Sequence, residues 1–171
     1  MVDGLVVRPA VPGDVETIQT LLDEAALWMI GRGITQWRPG MFPREMIRHR
    51  VDQGEAFLAR TAADVVGALQ LHGEDPAVWG ARPPDALYLH NLVVRRRFGG
   101  RGIGRALVGW AEAETRARGR TFLRLDCVAS NAVLRTYYAE AGFAERGDVE
   151  THGLTLRRWE KIVGPPATQS R

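Results

Sequence analysis

The sequence contains one cysteine, Cys127, and one lysine, Lys161. A single cysteine excludes an internal disulfide, argues against a metal cage built from cysteines, and is typical of a reducing compartment. No apolar run approaches the roughly 20 residues that span a bilayer. The N-terminus also lacks a basic segment followed by an apolar core, so no secretory signal is predicted. These absences favour a cytoplasmic protein that does not bind membranes.

Composition and length are those of an ordinary globular protein. Hydrophobic residues make up 45% and charged residues 25% of the 171 residues, which argues against extended disorder. A chain of this length can bury a core within one domain. We predict a single domain over residues 1–163, followed by a disordered tail over 164–171, which has the composition of a frayed end.

The predicted elements follow the order β-α-α-β-β-β-α-β-α-β-β. This order favours an α/β (by some conventions α+β) fold with a mixed, mostly antiparallel sheet of six to seven strands and helices on both faces. Asp14 is predicted to cap the first helix, and the proline-rich stretch Asp75–Asp85 is predicted to be a surface loop. The apolar run Leu87–Val94 is predicted to be a central strand.

A glycine-rich turn, Gly99–Gly104, joins that central strand to a predicted helix. Glycine allows positive φ and close approach of the backbone to a ligand. The first N–H groups of a helix lack internal partners and the helix dipole adds positive potential, so such a turn can bind phosphate oxygens. No acidic residue lies among the arginines around the turn, which are Arg95, Arg96, Arg97, Arg101 and Arg105.

Two known phosphate-binding motifs do not match this turn. The dinucleotide motif G-x-G-x-x-G lacks its third glycine, because Leu107 stands there after Gly102 and Gly104. The P-loop requires Gly-Lys followed by Ser or Thr, which the sequence does not contain. A solvated basic surface and a turn that merely needs glycine stay open at this point. Nucleic-acid binding is disfavoured, because the net charge is only +3 and no aromatic residue beyond Phe98 is interleaved with the arginines.

The turn is one of several motifs that occur in a fixed order along the chain. They comprise the strand end Leu92-Val93-Val94, the turn Gly99–Gly104, the segment Leu125–Cys127, Asn131, and Tyr138–Phe143, which reads YAEAGF. In this order, and in the spacing of seven from Asn131 to Tyr138, the chain resembles the GNAT superfamily of acetyl-CoA-dependent N-acetyltransferases. The resemblance covers residues 87–145 strongly. One position departs from the family pattern: Gly99 stands where the family has Arg or Gln, and Arg97 or Arg101 is expected to compensate.

The resemblance implies a GNAT-like fold, acetyl-CoA as the acyl donor and no metal. Tyr138 matches the family's general acid near the thioester sulfur, and His90 is the candidate general base, with Asp126 as the alternative. Cys127 is interpreted as a buried strand residue rather than a nucleophile. The residues that the resemblance assigns to cofactor binding are Leu92, Val93, Val94, Gly99, Gly100, Arg101, Gly102, Ile103, Gly104, Arg105, Asn131 and Tyr138.

The resemblance further implies direct transfer, through a ternary complex, to the primary amine of a small molecule or peptide. Candidate acceptor-site residues are Trp28, Gln36, Trp37 and Glu55. Nucleic acid and membrane are not expected as partners, and a homodimer is left open. The alternative interpretation is an acyl-CoA-binding regulatory module that has the same fold and no turnover.

Overall fold

The computed structural model describes residues 4–165 of the chain. The strands are β1 (Val6–Pro9), β2 (Ala56–Arg60), β3 (Val65–His72), β4 (Ala86–Val94), β5 (Phe122–Val128), β6 (Ala144–Thr151) and β7 (Leu154–Ile162). The α-helices are α1 (Val15–Ile30), α2 (Arg44–Asp52), α3 (Pro76–Trp79), α4 (Ile103–Ala117) and α5 (Ala132–Glu140). Residues 166–171 of the predicted tail lie outside the described residues.

The strands form one seven-stranded sheet in the order β1-β2-β3-β4-β5-β7-β6. β4 and β5 run parallel, whereas β1–β2, β2–β3, β5–β7 and β6–β7 are antiparallel pairs. The predicted mixed, mostly antiparallel sheet of six to seven strands is therefore confirmed. None of the helices within residues 4–165 is both long and apolar enough to cross a bilayer.

The chain divides into two compact units, residues 4–71 with 91–110 and residues 72–90 with 111–165. The first unit has a core in which α1 and α2 pack on the sheet. Ile18, Leu22 and Ala25 lie three or four residues apart on α1, so they share one buried face. This face shares a hydrophobic cluster with Ile47 of α2 and Leu58 of β2.

Asp14 precedes α1 as predicted, but its side chain does not cap the helix. The carboxylate instead accepts hydrogen bonds from Arg8 at 2.7 Å and from the backbone N–H of Val11 at 2.8 Å. The ion pair with Arg8 lowers the pKa of Asp14. The sequence pattern predicts a cap at Asp14 because it does not show that Arg8 and the N–H of Val11 bind the same carboxylate in the folded chain.

In the second unit, the predicted surface loop Asp75–Asp85 is wrong at its start, because a short helix, α3, begins at Pro76. Trp79 of α3 is only 3% exposed, and its ring lies edge-on to Tyr88 with ring centroids 6.1 Å apart. Asp75 accepts a hydrogen bond from the N–H of Val78, and proline suits the first helical position. The prolines of this stretch predict a loop, whereas Pro76 begins a helix whose Trp79 packs in the hydrophobic core.

Candidate acyl-transfer site

The turn between β4 and α4 has the backbone geometry expected of an anion-binding loop. Gly100 and Gly102 adopt φ of 74° and 78°, and among residues 4–165 no atom beyond the adjoining residues lies within 4 Å of where a Cβ would stand. The conformation, and not crowding, therefore requires glycine at these positions. The N–H of Ala106 donates to the carbonyl of Gly102, so the N–H groups of Ile103 and Gly104 have no acceptor within the helix. These groups and the helix dipole favour an anion at this turn.

The arginines around the turn are not one free cluster. Arg97 forms an ion pair with Asp64, and Arg95 lies 3.9 Å from the same carboxylate. Asp64 precedes β3, so the sequence near the turn gave no sign of this acid. Arg101 and Arg105 are exposed and Ile103 is buried. The turn therefore carries less free positive charge than the local sequence indicated.

The strand before the turn bends at Asn91, which has φ of 50°. The Asn91 side-chain amide donates to Gln70 at 3.3 Å, which holds the bend against β3. Of the three residues predicted to bind the acyl donor through their backbone, Val93 is buried and Leu92 and Val94 are half-buried. The residues of β4 that pair with β5 are Ala86 to Tyr88, so Leu92–Val94 lie beyond this pairing. The role of Leu92–Val94 stays a prediction.

In the second unit, His90 lies between two carboxylates. Its Nε2 atom is 3.2 Å from Asp75 Oδ2, and ligand atoms of Asp75, His90 and Asp126 all lie within 4.8 Å of one another. The ring of His72 stacks on His90 with centroids 4.3 Å apart. The structure thus brings together both bases that the sequence suggested and adds Asp75, which sequence reasoning had left in a loop. An aspartate directly before Pro76 was the available signal, because it favours a helix start.

This cluster holds excess negative charge away from water. The side chain of Asp75 is only 10% exposed. Burial and the nearby charge of Asp75 raise the pKa of Asp126, while His90 opposes that shift. A group of two carboxylates and one imidazole can accept a proton or attract a cation. Its donor atoms are also types that bind divalent cations, so the expected absence of a metal stays a prediction.

Tyr138 of α5 is buried beside aromatic side chains. Its ring centroid lies 5.9 Å from that of Phe143 and 6.3 Å from that of Trp159. Burial, and secondarily Cys127, raise the pKa of Tyr138 well above its usual value near 10. The phenol therefore stays protonated throughout the physiological range. Among the described residues, its hydroxyl makes no hydrogen bond, so it has a proton to donate.

The interpretation of Cys127 as a structural residue agrees with its surroundings. Its Sγ accepts a hydrogen bond from Nε1 of Trp159 at 3.3 Å, and the thiol is buried. Burial raises the pKa of Cys127, which keeps the thiol protonated. A protonated, buried thiol is a poor nucleophile.

Asn131 and three of the candidate acceptor residues, Trp28, Trp37 and Glu55, have structural partners, and the ring of Trp28 contacts the guanidinium groups of Arg96 and Arg32. The Asn131 side chain accepts a hydrogen bond from the N–H of Leu134 and so caps α5. Trp37 packs edge-on to Phe42, and Glu55 pairs with Arg50 at 2.6 Å. The cofactor role of Asn131 stays a prediction beside its capping role.

A comparison with known proteins identifies the family to which the chain belongs. The model of the acetyltransferase (GNAT) family matches residues 19–143. The chain belongs to the GNAT acetyltransferase family. The resemblance carried by its turn and its Tyr138–Phe143 motif is thereby confirmed, and the sheet described above is the GNAT fold.

Three relatives illustrate the match. An uncharacterized N-acetyltransferase of Bacillus subtilis, YesJ, is 34% identical over 152 residues, covering 85% of this chain and 84% of the relative. A GNAT-family acetyltransferase from Listeria monocytogenes has a TM-score of 0.79 and 31% identity, covering 92% and 94% of the two chains. The acetyltransferase yncA of Salmonella typhimurium, solved with acetyl-CoA, has the same fold at a TM-score of 0.70 and 16% identity, covering 98% and 99%.

The raised pKa of Asp126 predicts a pH-dependent effect of Asp126→Asn on stability. A carboxyl whose pKa is raised by folding destabilises the native state once the pH exceeds that pKa, and the penalty vanishes when both states are protonated. We expect the variant to raise Tm at about pH 8 and to change it little at about pH 3. Differential scanning calorimetry at both pH values measures this.

Asp148→Asn is the matched control, for which we expect Tm to change in the opposite direction. Hydrogen bonds from Arg157 lower the pKa of Asp148, so its ionised form stabilises the fold. This variant should lower Tm at the higher pH and lower it less at the lower pH. A decrease in Tm for Asp126→Asn at the higher pH would contradict the assignment of Asp126 as a penalised buried charge.

Proposed function

We propose that this protein is an N-acetyltransferase that moves an acetyl group from acetyl-CoA to a primary amine of a small molecule or peptide. The observation that carries the proposal is the turn Gly99–Gly104, where two glycines with positive φ precede unpaired N–H groups of α4. Phosphate oxygens are the ligands that such a helix start favours, and CoA supplies them. The acetyl-CoA in the Salmonella relative supports the same cosubstrate.

The reaction is direct transfer in a ternary complex. The neutral amine nitrogen attacks the thioester carbonyl carbon, the C–S bond breaks, and the electron pair leaves on sulfur. The ammonium must lose one proton before attack, the nitrogen loses a second proton after the C–N bond has formed, and the departing thiolate gains one, so the products are the neutral amide and free CoA thiol. Backbone N–H groups of Leu92–Val94 polarise the carbonyl oxygen, which stabilises the charge that develops there.

His90 is the proposed general base. An imidazole can accept the ammonium proton at neutral pH. Carboxylate oxygens of Asp75 and Asp126 lie beside this ring, with Asp75 Oδ2 3.2 Å from Nε2 of His90. They attract the ammonium form of the acceptor, so the same cluster binds the amine and deprotonates it. Asp75 acts as a positioning residue, since it lies against Nε2 of His90.

Tyr138 is the proposed general acid for the departing thiolate. Because burial raises its pKa, it keeps its proton until a strong base is next to it. A thiolate released into a buried site is itself a stronger base than in water, since desolvation penalises its charge. Tyr138 therefore donates only when the C–S bond has largely broken.

Release of free thiol from acetyl-CoA across a panel of amines tests the proposed function. Acetyl-CoA should also raise Tm, because a ligand that binds only the native state stabilises it. NAD and ATP should raise Tm much less. Equal shifts with all three ligands would indicate a generic anion site, and an acetyl-CoA shift without thiol release from any amine would favour a binding module.

Tyr138→Phe removes the proposed acid and keeps the ring. General acid catalysis is typically worth about 10²–10⁴-fold, and because a thiolate can leave partly unaided we expect kcat to fall by at least about tenfold, while KM for acetyl-CoA changes little. Steady-state kinetics with a saturating amine measures this. Tyr137→Phe, one residue earlier on α5, is the control and should be nearly silent. A wild-type rate for Tyr138→Phe would make the hydroxyl structural.

His90→Gln removes the proposed base and keeps a side chain of similar size. We expect kcat to fall by about 10²–10⁴ at neutral pH. Activity should recover as the pH approaches the amine's own pKa, about 10.4 for a lysine-like amine, because the substrate then arrives deprotonated. A pH series of kcat/KM measures this. The neighbouring groups that titrate, Asp75, Asp126 and His72, are unchanged in the variant.

His72→Gln is the control for loss of the stacked ring and should retain most of the rate. If His90→Gln keeps the wild-type rate at neutral pH, the base is another group or a water molecule.

A further inference from the structure

Arg96 differs from its neighbours in the cofactor turn. Arg95 and Arg97 lie near the carboxylate of Asp64. Within residues 4–165, by contrast, the guanidinium of Arg96 makes no hydrogen bond or ion pair with a carboxylate. Among the same residues its Nε atom is buried without a partner, as is that of Arg95, so Arg96 combines an unpartnered Nε with the lack of any carboxylate. A buried polar group without a partner is costly, so this guanidinium is a candidate for binding a ligand.

Helix α1 holds Arg96 in a defined place. Glu24 accepts a hydrogen bond from the backbone N–H of Arg96 at 2.8 Å. The guanidinium carbon lies 3.7 Å from the ring centroid of Trp28, which is a cation–π contact. Both residues belong to one face of α1, four positions apart. The side chain is therefore oriented in advance and is not a flexible surface arginine.

A second guanidinium shares the same ring. The guanidinium carbon of Arg32 lies 4.1 Å from the Trp28 centroid, and Arg32 also has no carboxylate partner among the described residues. Burial lowers the pKa of Arg96, and repulsion from Arg32 adds to that effect, while Glu24 opposes it. Two like charges held together in this way create a local positive potential that favours an anion.

The guanidinium also contacts the glycine turn. A Cβ at Gly99 would lie 3.3 Å from Nη2 of Arg96 and 3.1 Å from its carbonyl oxygen. Gly99 stands where the family pattern has Arg or Gln, so a guanidinium from position 96 occupies the space in which that longer side chain would begin. Sequence reasoning expected Arg97 or Arg101 to compensate. Arg97 is instead engaged by Asp64.

We propose that Arg96, assisted by Arg32, binds a phosphate group of CoA beside Gly99 and so replaces the side chain that this chain lacks at position 99. The inference rests on the proposed use of acetyl-CoA. CoA offers two sources of this chemistry, the pyrophosphate and the 3′-phosphate. A guanidinium forms charge-assisted, two-pronged hydrogen bonds with either group.

Calorimetric titration with acetyl-CoA tests the proposal. We expect Arg96→Ala to weaken binding by roughly ten- to a hundredfold, the effect of losing hydrogen bonds to a charged group. Arg97→Ala, the matched control, should change Kd by no more than about threefold, because an exposed ion pair contributes little. Equal effects of the two variants, or none for Arg96→Ala, would overturn the proposal.

A second ligand distinguishes the two phosphates. If Arg96 binds the 3′-phosphate, the wild type should bind 3′-dephospho-acetyl-CoA more weakly than acetyl-CoA, and Arg96→Ala should bind both alike. If Arg96 binds the pyrophosphate, the substitution should weaken both ligands by the same factor. Either result supports the phosphate assignment. A wild type that binds neither ligand would contradict the proposed function, whereas normal binding by Arg96→Ala contradicts only this inference.

A rescue variant separates phosphate binding from packing on Trp28. Arg96→Ala combined with Gly99→Arg restores a guanidinium three positions away. The φ of −58° at Gly99 is open to any residue, and the new Cβ, 3.1 Å from the carbonyl oxygen of residue 96, requires the turn to shift by a few tenths of an ångström. We expect this double variant to recover most of the lost affinity. Arg96→Ala combined with Gly99→Ala should not recover it, and Tm values verify that each variant is folded. A folded Gly99→Arg double variant without recovery would show that Arg96 is structural and overturn the inference.

Discussion

The N-terminus of α4 sets the constraint on which the rest of the candidate site depends. The chain must pass from a strand into a helix while leaving the first N–H groups of that helix facing a ligand, and this requires left-handed backbone at Gly100 and Gly102. Such a turn makes few stabilising bonds of its own. It is held from outside, because the N–H of Arg95 donates to Val66 of β3 and the N–H of Arg96 donates to Glu24 of α1. Packing in the first unit therefore determines the geometry of the anion site.

Charge is arranged differently in the two units. Around the turn, Asp64 neutralises part of the arginine cluster and leaves Arg96 and Arg32 for an anion. Around His90, two carboxylates are retained with only one imidazole to offset them, and burial raises the pKa of Asp126. Both arrangements cost stability in the protein alone, since like charges repel and buried charges lose hydration. Residues held at such a cost are candidates for function.

Most of the architecture could be predicted from local patterns. The apolar stripe of α1, the buried run of β4 and the glycine-rich start of α4 each carry a periodicity or composition that one element explains. The cap formed by Asn131 is local in the same way, because a cap acts on an N–H only three residues away. The error over Asp75–Asp85 came from reading three prolines alike, although proline at a first helical position favours a helix.

The sequence by itself determined the family, the glycine turn, His90 and Tyr138 as candidates, because these depend on residue types at short, fixed spacing. Only the tertiary structure decided which charges meet. Asp64 lies more than thirty residues from Arg97, Asp75 lies fifteen residues from His90, and Glu24 lies 72 residues from Arg96. No local pattern encodes such pairs, since they form when strands and helices pack and bring distant side chains within a few ångströms. The electrostatic character of each part of the site therefore follows from packing and not from the motif that marks it.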